Sequence, residues 1–442
     1  MKRFNEDGVT QKRMGRDLNL YGIRRKLSRL LFALSAVAYM QRLSVSAAAT
    51  PIVHDFALTS TTLGYVFSSF ALAYALFEIP FGRLGDRFGP ARVLAWLVGL
   101  WSLAALLTTA TVTVTSLILA RFLVGAGQAG TFPNITRLVS NCYPRGERGR
   151  SLGMAFVGVA VGAGCTTPLV QTLLRYQHWR LTLIELSFPA FAWVWWWRSF
   201  MRELPAAYDG AMVDQLAAGN LDSIEPLAVE GLSLRNLLRN SNILAICGMY
   251  FTFGYGIYFY ITWLPIYLLK GRGFEPTHVS LFASLPWLMG AVGYSLGGRV
   301  TDELLKRDVG IRVARGWVGA SGLAGSGACL LIVAFIANRN IAVLALGFAA
   351  CFQFATAAAA WAVCIDVGRQ HSGVVSGLMN TVGNLGGALA PLVVGYSLRL
   401  WGSWKIPFIV TAALFACGIA MWIAIDPSRP VVGNQSVLCS AD

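Results

Sequence analysis

Arg42 and Arg121 stand inside stretches that are otherwise apolar, Leu30 to Pro51 and Val112 to Leu138. A guanidinium at the centre of a membrane helix costs about 2.5–3.5 kcal/mol on insertion scales, so it faces water, a partner or a ligand. Its planar fork meets a carboxylate through two parallel bonds, so two such arginines predict the capture of a small organic anion. Tying helices together through backbone carbonyls is the plainer reading. Gln41 precedes Arg42, and Gln128 lies seven residues after Arg121, about 10 Å further along a helix axis. Tyr74, Tyr255, Tyr258, Asn380 and Asn384 add hydroxyls and amides suited to a hydroxylated acid, although tyrosines also anchor helices at membrane interfaces. Asn380 and Asn384 are four apart and so share a helix face. Glu78 follows Tyr74 by four residues and is the candidate proton site, because a buried carboxyl can alternate between charged and neutral forms. Glu185 is expected to pair with Arg180 instead.

A second cluster joins two apolar spans: Gly82-Arg-Leu-Gly-Asp86-Arg87-Phe-Gly-Pro-Ala-Arg92. Read as a loop, it places Asp86 to pair across the junction with an arginine such as Arg87 or Arg92, a latch that holds one conformation closed. Gly298-Arg-Val-Thr-Asp302 repeats the pattern in the second half of the chain.

The elements that carry these residues are membrane helices. Of the 442 residues 56% are hydrophobic and only 13% charged, too few polar groups to cover a water-soluble globule. About twenty apolar residues cross a bilayer, and twelve such spans are read along the chain, the first from Leu30 and the last from Ile406 to Ile425. The first lies behind a basic segment and shows no small-residue cleavage site, so it is expected to remain as helix 1. Trp193 and Trp195 to Trp197 read as an interfacial belt. If both termini face the cytoplasm, 27 Lys and Arg lie on that side against 7 on the other, the asymmetry of the positive-inside rule and an explanation of the +15 net charge that needs no nucleic acid.

The longest polar stretch between spans divides them six and six. The expected organisation is a basic tail over 1–26, a six-helix bundle over 27–200, a linker over 201–240, a second bundle over 241–426 and a tail over 427–442. Gly153, Gly158, Gly162 and Pro168 match Gly377, Gly383, Gly387 and Pro391 at half-chain spacing, a second sign of an internal repeat. The fold class is therefore all-α, twelve transmembrane helices in two six-helix bundles, with the ligand site between them.

At these residues the sequence resembles the major facilitator superfamily. Tyr39-Met-Gln-Arg42-Leu-Ser-Val-Ser46, the segment from Arg121 through Gln128 to Pro133, Tyr143-Pro-Arg-Gly-Glu-Arg148 and Thr262-Trp-Leu-Pro265 resemble its anion:cation symporter family, which includes bacterial sugar-acid permeases. The resemblance runs over about residues 25 to 425. It implies carriage of small organic anions by alternating access, with the arginines of helices 1 and 4 engaging the substrate and protons as coupling ion. Two carboxylates usually accompany those arginines, and here Gln41 and Gln128 replace them. Gly254 stands where asparagine is frequent. An uncoupled exporter or exchanger of aromatic or other carboxylates is the alternative within transport, and a transporter-like sensor the alternative outside it.

No phosphate-binding Gly-Lys-Ser/Thr loop and no His-Glu-x-x-His occurs, so an enzyme is not expected. Eight scattered cysteines form no paired metal spacing, and neither metal nor cofactor is expected. Expected partners are the anion, protons and the bilayer. The chain is expected to act as a monomer in the bacterial inner membrane.

Overall fold

The computed structural model describes residues 3–143, 145–203, 237–369 and 372–431. The side chain of Asp86 and most of the linker expected at 201–240 lie outside the described residues. Among the described residues all regular structure is helical. The first half holds α1 (Arg3–Ala47) with the short α2 (Ala49–Asp55), α3 (Ser60–Phe88), α4 (Pro90–Thr109), α5 (Val114–Ala129), α6 (Thr131–Cys142), α7 (Arg145–Leu173), α8 (Trp179–Glu185) and α9 (Phe188–Glu203). The second half holds α10 (Ser241–Thr262), α11 (Pro276–Lys306), α12 (Ile311–Phe335), α13 (Arg339–Gly368), α14 (Ser372–Trp401) and α15 (Lys405–Ala424). Ten of these helices are long and apolar enough to cross a bilayer alone. The two remaining crossings are broken helices: α5 and α6 meet at Gly130, and α8 and α9 meet at Leu186–Ser187.

Local chemistry sets the helix ends. Thr113 and Ser116 form a reciprocal capping box at the start of α5, and Asn240 and Asn338 each accept two backbone N–H bonds at the starts of α10 and α13, relieving donors a helix cannot satisfy itself. The segment Gly82–Phe88, expected as a loop, is the last two turns of α3. Nothing in it breaks a helix, and the chain turns only at Gly89, whose φ of 88° suits glycine, before Pro90 starts α4. Gly298 to Asp302 is likewise inside α11.

Within each half, helices approach at glycines. A Cβ on Gly162 of α7 would stand 2.1 Å from the Ala36 carbonyl oxygen of α1. In the second half, a Cβ on Gly254 of α10 would stand 1.9 Å from the Gly383 carbonyl of α14. Gly158 and Gly162 thus fit α7 to α1, and Gly383 and Gly387 fit α14 to α10, the close contact that replaces hydrophobic driving force in lipid. Gly254 is excluded from carrying an amide by the same geometry.

The halves meet along α3 with α14 and α7 with α11. Ser46 donates to the Thr262 carbonyl at 2.6 Å, Ser60 to Gly395 at 3.0 Å, and the Tyr65 and Tyr396 hydroxyls pair at 2.5 Å. Ser68 and Ser284 donate to Ala388 and Gly164. These bonds lie toward the end of the bundle opposite the Gly82–Arg92 junction. Toward the junction the seam is aromatic, with Phe156 stacked between Phe132 and Tyr294 at 5.6 and 5.5 Å.

Two expectations are corrected. Arg180 pairs with Asp55 at 3.1 Å, and Glu185 instead accepts from Gln177 at 2.7 Å. Trp193 and Trp197 are buried, stack at 4.9 Å and donate to Leu30 and Ala91 carbonyls, so only Trp195 and Trp196 face outward.

Asp55 ties α2 to α8: the Trp179 indole donates to it at 2.7 Å, and His178 and Arg180 lie at 3.2 and 3.1 Å. The Trp179 bond, ahead of His178 and Arg180, holds the Asp55 carboxyl below the usual carboxylate range. A lowered folded-state pKa gives stability that is present above the unfolded pKa and is lost as pH falls through the folded one. Asp55→Asn should therefore lower the thermal midpoint at pH 7, and the difference from wild type should shrink on acidification. Gly254→Ala should cost about 1–3 kcal/mol through overpacking, whereas Gly377→Ala, with nothing within 4 Å of the new Cβ, should leave the midpoint unchanged. Scanning fluorimetry of the purified protein reads both comparisons.

Candidate anion-binding site

α1 and α5 cross so that both arginines reach one ring. The guanidinium carbon of Arg42 lies 5.0 Å, and that of Arg121 4.9 Å, from the centroid of Phe70 on α3, which keeps the two carbons within about 10 Å of each other. Tyr39 and Tyr74 complete an aromatic cage around Arg42, at 4.5 and 4.7 Å. Cation–π contacts offset part of the desolvation of a guanidinium without neutralising its charge. Arg42 donates through Nε to Gln128 Oε1 at 3.3 Å, and Gln128 in turn donates to the Ala38 carbonyl at 3.1 Å. Arg121 donates to the Arg42 carbonyl at 3.4 Å, and its Nε has no partner. The two arginines are 5% and 4% exposed, and among the described residues neither is in a salt bridge.

Glu78 closes the site from α3 and is fully inside the seam. Asn380 donates to Oε1, and Thr381 and Asn384 donate to Oε2 at 3.5 Å each. Asn384 also accepts from the Tyr258 hydroxyl at 2.9 Å. A carboxylate of the first half thus rests on neutral donors of the second, within electrostatic reach of Arg42.

Gln41 lies on the other side of α1. Its amide donates to the Leu186 carbonyl at the α8–α9 break, at 3.2 Å, and its Oε1 is buried without a partner. Between Gln41 and Arg121 is a cavity of about 10 Å³, also lined by Ser44, Thr108 and Ser187, room for one water. Gln41 therefore approaches Arg121 from inside the first bundle, whereas Gln128 touches Arg42 directly. Tyr255 is buried with an unpartnered hydroxyl and makes none of the contacts above.

The residues expected to gate are dispersed. Gly82 packs on Pro133, Arg87 lies over Phe88 at 5.3 Å, Arg92 is on α4, and Asp302 is exposed on α11. A Cβ on Gly85 would fall 1.8 Å from Asn134 Oδ1, so the glycines of this segment fit α3 to α6. Phe70, Tyr39 and Thr381 belong to the site and were not singled out as site residues. Phe70 was legible in principle, since Phe70, Tyr74 and Glu78 recur every four residues on one face of α3.

Two six-helix halves with buried charge at their seam define a membrane carrier. The chain belongs to the Major Facilitator Superfamily, whose family model matches residues 31–391; it is a transporter and not an enzyme. It is 33% identical to a probable sulfoacetate transporter of Cupriavidus necator, over 88% of this chain and 91% of the relative. It is 26% identical to a hexuronate transporter of Bacillus subtilis, over 92% and 95%, and 28% identical to a probable galactarate/D-glucarate transporter of Escherichia coli, over 92% of each. The fold matches a bacterial homologue of the human lysosomal transporter Spinster in an inward-facing, unoccupied conformation, with a TM-score of 0.73, 17% identity, and 91% and 96% of the two chains covered.

Gln41 and Arg121 line one cavity of water size, so an ordered water there is expected in an experimental map. Gln41→Leu removes the amide at similar volume; it should leave the protein folded and weaken anion binding several-fold, read by titration calorimetry.

Proposed function

We propose that the protein carries small organic anions of the sugar-acid type, hexonates or hexuronates, across the bacterial inner membrane by alternating access, with both termini in the cytoplasm. The observation that carries this reading is the pair of buried guanidiniums, Arg42 and Arg121, with no carboxylate among the described residues bonded to either. Burying an unpaired charge is costly, and an anionic ligand removes that cost. The relatives named for hexuronate and for galactarate/D-glucarate support the same class of cargo. Asn380, Asn384 and Tyr258 supply groups that can turn toward a hydroxylated chain.

Entry requires the halves to part, because both arginines are almost fully covered. The hydrogen bonds across the seam favour parting at the junction end, which the basic residues assign to the cytoplasm. Protons enter through Glu78. As a carboxylate it accepts from Asn380, Thr381 and Asn384; once protonated it attracts those donors less, which loosens α3 from α14. Proton loading and opening are thereby linked.

In proteoliposomes, Arg42→Lys and Arg121→Lys should each lower affinity for the carried acid tenfold or more, because lysine keeps the charge and loses the fork. A pH gradient should drive uphill uptake in the wild type and not in Glu78→Gln. Uptake that ignores the gradient in both would replace coupled transport by uncoupled exchange.

A further inference from the structure

Resting on the reading of this seam as an anion site, we infer that it is built for a ligand with two negative charges: a short-chain dianion with one acidic group on Arg42 and the other on Arg121, bound in preference to the monoanion of the same length.

The first argument is the balance of charge. Arg42 and Arg121 bring two positive charges to the seam, and Gln41 and Gln128, the amides nearest them in sequence, bring none. Among the described residues Glu78 is the one carboxylate in reach, and its oxygens rest on Asn380, Thr381 and Asn384 rather than on a guanidinium. With Glu78 protonated, two charges await a counterpart. A monoanion leaves one of them buried and unpaired, whereas a dianion leaves none.

The second argument is what is still unbonded. Asn384 is already engaged with Glu78, the Tyr258 hydroxyl and the Asn380 carbonyl, and both ends of the Gln128 amide are in use. Asn384 and Gln128 are therefore already bonded within the site, while Arg121 Nε has no partner, and charge is the chief demand left for a ligand to meet. The third argument is spacing. Both guanidiniums lie against Phe70 and within about 10 Å of each other. They are close enough for the two ends of one short chain to meet one guanidinium each.

Glucarate and gluconate test the charge alone: they share the hydroxylated six-carbon chain and differ in the second carboxylate, which is ionised at pH 7. Calorimetric titration of the full chain in nanodiscs should give glucarate the tighter binding by about tenfold or more, the size of one charge-assisted contact. Glu78→Gln should keep or widen that ratio. Arg121→Gln should weaken both acids and abolish the preference for glucarate, and an unchanged thermal midpoint and elution volume show that the variant is folded. Should that variant not be isolated, Arg42→Gln is read in the same way. Equal affinities in the wild type would overturn the dianion inference and leave the anion-carrier reading standing. Binding of neither acid would overturn both.

Discussion

Two guanidiniums buried at a seam without carboxylates beside them constrain everything around them. The surroundings stabilise the arginines in ways that leave their charge intact: three aromatic rings around Arg42, one of them shared with Arg121, one amide contact from Gln128, and a backbone carbonyl for Arg121. A carboxylate at position 41 or 128 would satisfy the arginines more completely and compete with any anionic ligand. Amides orient without neutralising. The site is thus held in a state of unmet electrostatic demand, which is what a carrier needs if ligand binding is to alter the balance between its conformations.

That demand is useful only if the two halves move as bodies. Close glycine contacts fix α7 to α1 and α14 to α10, so each half is internally stiff, while the seam between halves is held by a limited set of hydroxyl-to-carbonyl bonds and one carboxylate–amide cluster. The bonds are unevenly placed. Serine and tyrosine hydroxyls close one end, and stacked aromatics, which slide at lower cost than hydrogen bonds break, cover the other. Glu78 sits where the two regimes meet. On the proposed reading, the uneven seam gives rocking a preferred side.

Much of the fold was legible because membrane helices announce themselves by length and apolarity, and because the glycine pattern repeats at half the chain. The breaks at Gly130 and at Leu186–Ser187 were not, since hydropathy averages over them. Arg42 and Arg121 were legible for the opposite reason: charge in an apolar run has few explanations. Phe70 was hidden by being an ordinary apolar residue among many, its role visible only when two helices bring cations to the same ring. The direction of Gln41 follows from helix geometry. Adjacent residues on a helix point about 100° apart, so the neighbour of Arg42 looks into the first bundle when Arg42 looks at the seam. The Gly82–Arg92 segment was read as a loop from its turn-forming composition, whereas Gly82 and Gly85 serve close packing against Pro133 and Asn134 and only Gly89 makes the turn.

Charge also bears on the direction of transport. On the proposed reading, a dianion bound between Arg42 and Arg121 with Glu78 protonated makes the loaded seam neutral, and the empty seam with Glu78 ionised carries one positive charge. One turnover then moves a dianion and a proton, a net charge of −1. Moving one charge across a membrane potential of 100 mV is worth about 2.3 kcal/mol, roughly fifty-fold in the distribution of the carried acid. With the cytoplasm negative, that term opposes uptake, and a proton gradient acting through a single carboxyl only offsets it in part or in full according to its size. A dicarboxylate carried with one proton is therefore accumulated only where the external pH is low, and is released readily where it is not. On this reading the amides at positions 41 and 128 leave Glu78 as the proton carrier among the described residues of the seam, and that sets the limit.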